Sequence, residues 1–411
     1  MPAAEKIIRQ AGRSTGRHRR QGECMGGKDN IFEVLQAQDG VGLVEKQVFT
    51  MPSYTTIGGK TIRDVRIGYE TYGTLNARGD NAILIAHYFS GTSHAAGRYA
   101  TTDTETGYWD AIIGPGKAID TDRYFVVSAD TLANVNAGDR NAVTTGPASI
   151  DPDTGKPYGM RFPIVTIRDF VNVQKALVDA LGIRKLHAVA GPSMGSMQAI
   201  EWAVAFPDMV ERVAAVIPAG LEADPYLVAT LNIWMAPIML DPDWNQGDYY
   251  GAQAPVKGLA ATLKNIMLNG LHPGWANAAC GRKPALAADD MLRDFGGRFL
   301  IETTLEQVGL MRADMLDANS LLYTAKACQL FSIAHQGTLQ DAARGIKGKV
   351  LLMPAVSDLL MLPDYARKAA ELLRACGKQV DYVELQGVGG HFDGLQAIGQ
   401  AGSALRHFID T

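Results

Sequence analysis

Short, wholly apolar runs recur along the chain from residue 46 onward, and helix-like segments separate them. Ala82–Ala86 and Leu186–Ala190 are the clearest of these runs, and between them Thr166–Leu181 carries its apolar residues at helical spacing. Apolar strands joined by helices are typical of a parallel sheet that is covered on both faces. The alternation therefore predicts an α/β protein with a mostly parallel central sheet.

A long segment in the second half of the chain interrupts this alternation. The other predicted strands are Lys46–Met51, Thr61–Tyr72, Tyr124–Ala129, Val213–Ile217, Val350–Met353 and Val380–Leu385, and the other predicted helices are Met197–Phe206 and Ala401–Ile409. About 130 residues without a strand pattern follow Ile217, and a loop of that length must fold by itself to be compact. We predict a helical lid at 220–345, with breakers at Pro237, Pro242, Pro255 and Pro273, inserted into a core formed by 31–219 and 346–411.

Charge and cysteine content exclude several classes of protein. The 411 residues carry a net charge of −4, which disfavours a nucleic-acid binder. The basic residues at the start of the chain predict a basic, disordered tail at 1–30, with a transit peptide or a nucleic-acid arm as alternatives. No apolar run is long enough to span a membrane. Four scattered cysteines indicate a reducing compartment, so we expect a cytoplasmic protein.

The motif Gly191-Pro192-Ser193-Met194-Gly195 is the most informative local feature. It follows an apolar strand and precedes a helix-forming run, which is the setting of a nucleophile elbow. In so tight a turn, side chains two positions either side of the serine would collide with the backbone. The amide groups that open the next helix then face a developing oxyanion. We predict that Ser193 is a nucleophile.

A serine nucleophile needs a base to take its proton, and after an elbow of this kind the partners follow in the order serine, acid, histidine at the carboxyl ends of the last strands. Asp358 comes just after the strand Val350–Met353, and His391 comes just after the strand Val380–Leu385. We predict that His391 is the base and Asp358 the acid. The alternatives are His407 for the histidine and Asp364 or Asp393 for the acid.

The loop after the third strand is the expected source of a second oxyanion donor. We predict that the backbone N–H groups of Phe89 and Met194 form the oxyanion hole. His87 and His94 lie in the same loop, but no carboxylate or cysteine stands at ligand spacing near them, so we predict loop packing and no metal site.

The stretch Gly191–Ala203 resembles the nucleophile elbow of the homoserine O-acetyltransferase family. Other segments that match this family in order are Gly107–Asp122, Gly146–Pro147, Phe162–Pro163, Asp241–Trp244, Gly247–Tyr250 and Asp317–Ser320. The resemblance covers about residues 45–410. It implies an α/β-hydrolase fold with a helical lid, acyl-enzyme chemistry carried by Ser193, Asp358 and His391, and homodimers formed through lid helices.

The chain departs from the family pattern where substrate is held. Acetyltransferases of the family carry a lid arginine for the carboxylate of the amino acid, whereas Leu231–Leu240 contains no cationic residue. Neither Met235 nor Ala236 can replace a two-point guanidinium contact. Other departures are Pro192 and Ser196 in place of elbow glycines, Leu321 in place of a tyrosine, and Phe392 in place of the aspartate after the histidine. We expect a more apolar pocket, unless Arg168, Arg282 or Arg312 compensates.

These observations favour a serine-dependent acyl-transfer enzyme, and first of all an esterase of small acyl esters. An O-acetyltransferase that moves acetyl from acetyl-CoA to homoserine or another small alcohol would use the same residues. A non-catalytic binding protein on this fold is the third hypothesis. We expect a small ester or thioester substrate, contacts from Tyr88, Trp234 and Met235, and no cofactor, with acetyl-CoA as co-substrate in the transferase alternative.

Overall fold

The computed structural model describes residues 40–286 and 291–411, so the predicted tail at 1–30 lies outside the described residues. The strands in chain order are β1 (Gln47–Thr55), β2 (Thr61–Tyr72), β3 (Ala82–Ala86), β4 (Ile113–Gly114), β5 (Ile119–Asp120), β6 (Phe125–Ala129), β7 (Ile150–Asp151), β8 (Lys156–Pro157), β9 (Leu186–Pro192), β10 (Arg212–Val216), β11 (Lys349–Met353) and β12 (Val380–Tyr382).

Eight of these strands form one sheet in the order β1-β2-β6-β3-β9-β10-β11-β12. β2 runs antiparallel to both of its neighbours, and the pairs from β6 through to β12 are all parallel. The prediction of a mostly parallel sheet is confirmed. β12 is shorter than the predicted strand Val380–Leu385, and Leu385 instead forms an isolated bridge with Ala355 beyond the end of β11.

Hydrophobic cores lie on both faces of this sheet. All five residues of β3 are buried, and the first four alternate between the two cores: Leu84 packs on one side, with Phe170 and Trp202, and Ile85 on the other, with Phe408. Because successive side chains of a strand point to opposite faces, a strand covered on both faces must be apolar throughout. For this reason the short apolar runs in the sequence predicted the positions of the central strands.

Helices cover the sheet and fill the segment between β10 and β11. They are α1 (Ile167–Ala180), α2 (Met194–Ala205), α3 (Pro225–Leu240), α4 (Val256–Gly270), α5 (Pro273–Ala279), α6 (Leu300–Ala313), α7 (Ala318–Gln329), α8 (Leu339–Gly345), α9 (Pro363–Ala375), α10 (Asp393–Gln396) and α11 (Gly402–Asp410). Short 3₁₀ helices span Gly159–Arg161, Pro242–Gly247, Gly390–Phe392 and Ile398–Ala401. Helix α1 begins with a capping box between Thr166 and Asp169.

Two local predictions about helices differ from the structure. Helix α2 begins at Met194 rather than at the predicted Met197, because the chain turns directly from the strand into the helix at Ser193. Pro237 lies inside α3 rather than ending it, whereas Pro273 stands in the first turn of α5. The proline removes one hydrogen bond of α3. The carbonyl of the exposed Ile233 is the one that loses this donor, on the solvent side of the helix.

The segment predicted as a lid is mainly helical where the structure describes it, with loops and isolated bridges between its helices. α3 to α8 lie between β10 and β11, and the boundaries at 220 and 345 stay predictions. Within residues 40–286 and 291–411, no helix combines the length and the apolar character needed to cross a bilayer.

Candidate active site

Ser193 stands at the sharp turn between β9 and α2. Its backbone has φ 57° and ψ −121°, a conformation that side-chain-bearing residues rarely adopt and that accumulates at functional sites. Its hydroxyl faces the cavity between the sheet and the helices of the segment 220–345. The turn therefore presents a serine hydroxyl at the carboxyl end of a central strand.

The two glycines around Ser193 are required by close backbone approach. A Cβ on Gly195 would lie 2.1 Å from the carbonyl oxygen of Ala86, and one on Gly191 would lie 2.5 Å from the carbonyl oxygen of Gly195. Ser196, which stands where the family has a glycine, is accommodated because its hydroxyl donates to the carbonyl of Ser193 at 2.6 Å.

The structure brings His391 and Asp358 to this serine. His391 Nε2 lies 2.7 Å from Ser193 Oγ, and His391 Nδ1 lies 2.6 Å from Asp358 Oδ2. The other oxygen of Asp358 accepts the backbone N–H groups of Leu360 and Met361, each at 2.9 Å. The carboxylate is buried, so these contacts fix its orientation. The three residues form one continuous hydrogen-bonded chain.

The alternative residues lie elsewhere. His407 is an exposed residue of α11. Asp364 pairs with Arg367 and Lys368 at the surface start of α9. Asp393 is buried and accepts hydrogen bonds from the hydroxyl of Ser357 and the N–H of Gly389, both at 3.1 Å. Burial raises the pKa of Asp393. Its role is to hold the loop that carries His391.

Two backbone N–H groups at the predicted oxyanion hole are free to donate. Phe89, just beyond β3, and Met194, the first residue of α2, both line the cavity that contains Ser193. Neither N–H has an acceptor within the part of the chain that the structure describes. Because a helix leaves its first N–H groups unpaired, the one at Met194 is available to a developing negative charge.

His87 supports the loop that carries Phe89. Its Nδ1 lies 2.7 Å from the carbonyl oxygen of Tyr88, and its Nε2 lies 3.2 Å from the side-chain nitrogen of Asn134. Since an amide nitrogen only donates, Nε2 must accept and Nδ1 must carry the proton. Burial lowers the pKa of His87 and keeps the ring neutral. Asn134 also donates to the carbonyl of Gly91 at 3.0 Å.

The far end of the same loop is held by buried charges. Lys46 Nζ lies 3.1 Å from Glu70 and 3.6 Å from Asp130, and Asp130 accepts the N–H of Ser93 at 2.6 Å. His94 Nδ1 lies 3.1 Å from Glu70. Burial raises the pKa of Glu70, but the contacts with His94 and Lys46 outweigh it and hold that pKa below its usual value. These side chains satisfy one another, and within the described ranges no three His, Cys, Asp or Glu side chains are grouped to hold a metal ion.

The cavity above Ser193 has a volume of about 590 Å³ and a mostly apolar wall. The segment 220–345 supplies much of this wall, with contributions from Leu227, Leu231, Trp234, Met267, Met311 and Met315. Of the predicted substrate contacts, Tyr88 and Trp234 lie on the wall. Met235 does not, because one residue along a helix turns the side chain away, and it packs among core residues instead.

Of the three arginines considered as substitutes for the family's lid arginine, Arg312 alone lines the cavity. Arg168 pairs with the buried Glu201 behind the elbow, and Arg282 stacks on the ring of Phe299 at 5.0 Å. The sequence offers Arg312 as one of three alternatives without indicating its position, and it predicts no role for Met311 or Met315. No local pattern marks the face of α6 that meets the cavity, because apolar residues lie on several sides of this helix.

Comparison with known proteins agrees with this fold. The alpha/beta hydrolase fold family matches residues 116–393. The homoserine O-acetyltransferase of Deferribacter desulfuricans is 37% identical over 374 residues, covering 90% of this chain and 97% of that protein. The corresponding protein of Methanococcoides burtonii is 38% identical over 374 residues, covering 91% of this chain and 75% of its own length. The chain belongs to the homoserine O-acetyltransferase family of the α/β-hydrolase superfamily.

The solved structures similar to this family member include an esterase and a homoserine O-acetyltransferase. The crystal structure of esterase E22 is 50% identical, with a TM-score of 0.86, and covers 89% of this chain and 100% of its own. The homoserine O-acetyltransferase from Bacillus anthracis is 38% identical, also with a TM-score of 0.86, and covers 90% of this chain and 98% of its own. The protein is thus an α/β-hydrolase-fold enzyme of the esterase or O-acyltransferase kind.

Proposed function

We propose that the protein is a serine-dependent hydrolase of small acyl esters. The observation that carries this proposal is the hydrogen-bonded chain Ser193–His391–Asp358, which opens into a cavity with a mostly apolar wall. A hydroxyl that donates to a neutral imidazole is an activated nucleophile. The chemistry requires no metal and no organic cofactor.

Each of the three side chains has a distinct part in the proposed reaction. His391 Nε2 removes the proton of Ser193 as Oγ attacks the ester carbonyl, and it returns that proton to the leaving alcohol. Asp358 keeps the proton of the neutral ring on Nδ1 and stabilises the imidazolium. Water then attacks the acyl-serine with the same histidine as base. The carboxylic acid leaves and Ser193 regains its proton.

The oxyanion of each tetrahedral intermediate is stabilised by the N–H groups of Phe89 and Met194. Loss of one such donor typically lowers the rate by about 10²–10³. His87 contributes indirectly, because its contact with the Tyr88 carbonyl holds the peptide unit that carries the Phe89 N–H.

The second candidate is an O-acetyltransferase that moves acetyl from acetyl-CoA to homoserine or another small alcohol. The observation in its favour is that the similar curated relatives, matching over nine-tenths of this chain, are named homoserine O-acetyltransferases. The cavity argues for the hydrolase. Homoserine carries an ammonium and a carboxylate, and an ammonium needs an acceptor of negative charge. No Asp or Glu among the described residues lines the cavity.

The fate of the acyl-enzyme tests this proposal. When p-nitrophenyl acetate acylates Ser193, we expect free acetate to exceed O-acetylhomoserine by at least about tenfold, even with millimolar L-homoserine present, because the cavity does not hold that acceptor and exclude water. The measurement is quantification of both products by mass spectrometry.

A matched reaction with acetyl-CoA serves as the control for the acyl donor. Rapid release of CoA on addition of homoserine, together with barely detectable cleavage of simple esters, would establish the transferase and overturn the hydrolase. If a serine-reactive phosphonate failed to label Ser193, the protein would be a non-catalytic binder.

We also propose that the protein forms a homodimer through helices of the segment 220–345. Helix α3 exposes large apolar side chains at a seven-residue spacing, Tyr226, Ile233 and Leu240, with exposed fractions of 63%, 59% and 82%. An apolar stripe at this spacing is suited to pack against a second helix. Exposed patches of this kind mark contact sites on soluble proteins.

Ile233→Glu should convert the dimer into a monomer, because it places a charge at the centre of the stripe. Mass in solution, measured by light scattering or sedimentation, should fall to half that of the wild type. Ile150→Glu is the matched control, since Ile150 is similarly exposed but lies on β7, away from α3. A monomeric wild type, or a dimer unaffected by Ile233→Glu, would contradict the proposed interface.

The cytoplasm remains the predicted location. Cys280, Cys328 and Cys376 are free thiols, which suits a reducing compartment. Cys328 lines the cavity, but burial raises the pKa of its thiol to about 12, so it is not a nucleophile there.

A further inference from the structure

One cation faces the cavity that contains Ser193 and His391. Arg312 lies in the last turn of α6 and lines the same cavity as those two residues. Its side chain is neither fully buried nor exposed. Among the described lining residues, the other side chain that can carry a positive charge is His391, and it is engaged with Asp358.

The guanidinium of Arg312 has no protein partner. Across residues 40–286 and 291–411 it makes no ion pair and no hydrogen bond, whereas Arg298, just before the same helix, pairs with Glu306. The C-terminus of a helix favours a nearby cation. The stabilisation of a cation by the helix C-terminus does not require the Arg312 side chain to enter a cavity. An unpaired guanidinium that faces an apolar cavity is instead suited to bind an anionic group.

A hydroxyl on the same wall also lacks a protein partner. Tyr88 lines the cavity, and its hydroxyl makes no hydrogen bond within the described residues. Burial raises the pKa of Tyr88, while the positive charge of Arg312 acts in the opposite direction. The phenol therefore keeps its proton and can donate it to an acceptor near Arg312. Cation and donor together form a site for a carboxylate.

The charges of the cavity wall restrict the ligand further. Arg312 is the one Lys or Arg among the described lining residues, and no Asp or Glu accompanies it. The charge of an ester with a single carboxylate would be neutralised by Arg312. An amino-acid ester would leave its ammonium group without a partner of opposite charge. The apolar wall, including Trp234, Met311 and Met315, suits the uncharged remainder of such a molecule.

We propose that the substrates are esters that carry one carboxylate and no ammonium group, with the carboxylate bound by the Arg312 guanidinium and the Tyr88 hydroxyl. This inference rests on the proposed hydrolase function and names its substrate class. Arg312 is a specificity-determining residue and takes no part in proton transfer. The reaction is the ester hydrolysis described above. Water adds across the ester bond, and the carboxylate bound by Arg312 is unchanged.

Matched ester pairs test the proposal. On the alcohol side we would compare 3-acetoxybenzoate with 3-acetoxybenzamide, and on the acyl side mono-p-nitrophenyl succinate with p-nitrophenyl butyrate. In at least one pair, Arg312→Met should lower the ratio of charged to neutral kcat/KM by about tenfold to hundredfold, mainly through KM, as expected for a lost charged hydrogen bond. Arg312→Lys should restore part of the ratio, and Tyr88→Phe should lower it by less.

Arg282→Met is the matched control, because Arg282 stacks on Phe299 and does not line the cavity. It should leave all four kcat/KM values within about twofold of the wild type. If Arg312→Met changed the charged and the neutral ester of both pairs equally, the inference would be overturned. Failure of the proposed function looks different: the wild type would then not cleave even the neutral esters.

Inhibition of the wild type gives a test that does not depend on any variant folding. Benzoate should inhibit hydrolysis of p-nitrophenyl acetate with an inhibition constant at least about tenfold lower than that of benzamide, because only benzoate can pair with Arg312. Equal inhibition constants for the two compounds would overturn the inference.

Discussion

Ser193→Ala should lower kcat for p-nitrophenyl acetate by about a millionfold, to a level set by cavity binding and the oxyanion donors. The variant removes the only atom that can form the acyl-enzyme. It should also abolish the burst of p-nitrophenol that marks acylation, measured by stopped-flow absorbance. The fold should survive, since alanine is smaller than serine and Ser193 Oγ bonds to His391 alone among the described residues.

Ser196→Ala is the matched control for this variant. Ser196 stands on the same turn and donates to the carbonyl of Ser193, but its hydroxyl is not part of the chain to His391. It should retain most of the activity. The double variant Ser193→Ala with His391→Ala should be no slower than Ser193→Ala, because residues that act as a unit are not additive. Appreciable turnover by Ser193→Ala would end the assignment of the nucleophile.

Asp358→Asn should lower kcat by about 10⁴ while preserving the structure. The asparagine oxygen can still accept the N–H groups of Leu360 and Met361 that Asp358 accepts now. Its amide nitrogen would then face His391 Nδ1 and donate to it. The ring proton would have to move to Nε2, where it prevents the histidine from taking the proton of Ser193. The loss should appear in kcat rather than in KM.

Asp364→Asn and Asp393→Asn separate this effect from a general loss of charge. Asp364 pairs with surface cations, so its variant should behave as the wild type. Asp393 holds Ser357 and Gly389, so its variant should lower stability, measured by the midpoint of thermal unfolding, more than it lowers kcat. If Asp393→Asn and not Asp358→Asn caused the 10⁴ loss, the acid would be assigned to the wrong residue.

Much of the core could be predicted because its determinants are local. The run Ala82–Ala86 is apolar at every position because both faces of β3 are covered, and its observed bounds equal the predicted ones. Gly191 is demanded by a contact of under 3 Å with Gly195 of the same turn, whereas the contact that demands Gly195 comes from Ala86 on the neighbouring β3. The observed start of α2 is three residues before the predicted one, since Gly195 and Ser196 are weak helix formers and the turn itself begins the helix.

The segment 220–345 was less predictable in detail. Its helices are apolar on several sides, so periodicity does not tell which face meets the cavity. Trp234 and Met235 illustrate this: they are adjacent in sequence and equally apolar, yet only Trp234 lines the cavity. Likewise, nothing in the local sequence distinguishes Arg312, which lines the cavity, from Arg282, which stacks on a phenylalanine.

The sequence by itself determined the parallel sheet and the serine at the elbow, because each depends on residues that are neighbours along the chain. Only the tertiary structure decided which of three acids meets His391 and which arginine enters the cavity. Those choices depend on how loops and helices distant in sequence pack above the carboxyl ends of the strands. No periodic pattern in the sequence predicts packing of that kind.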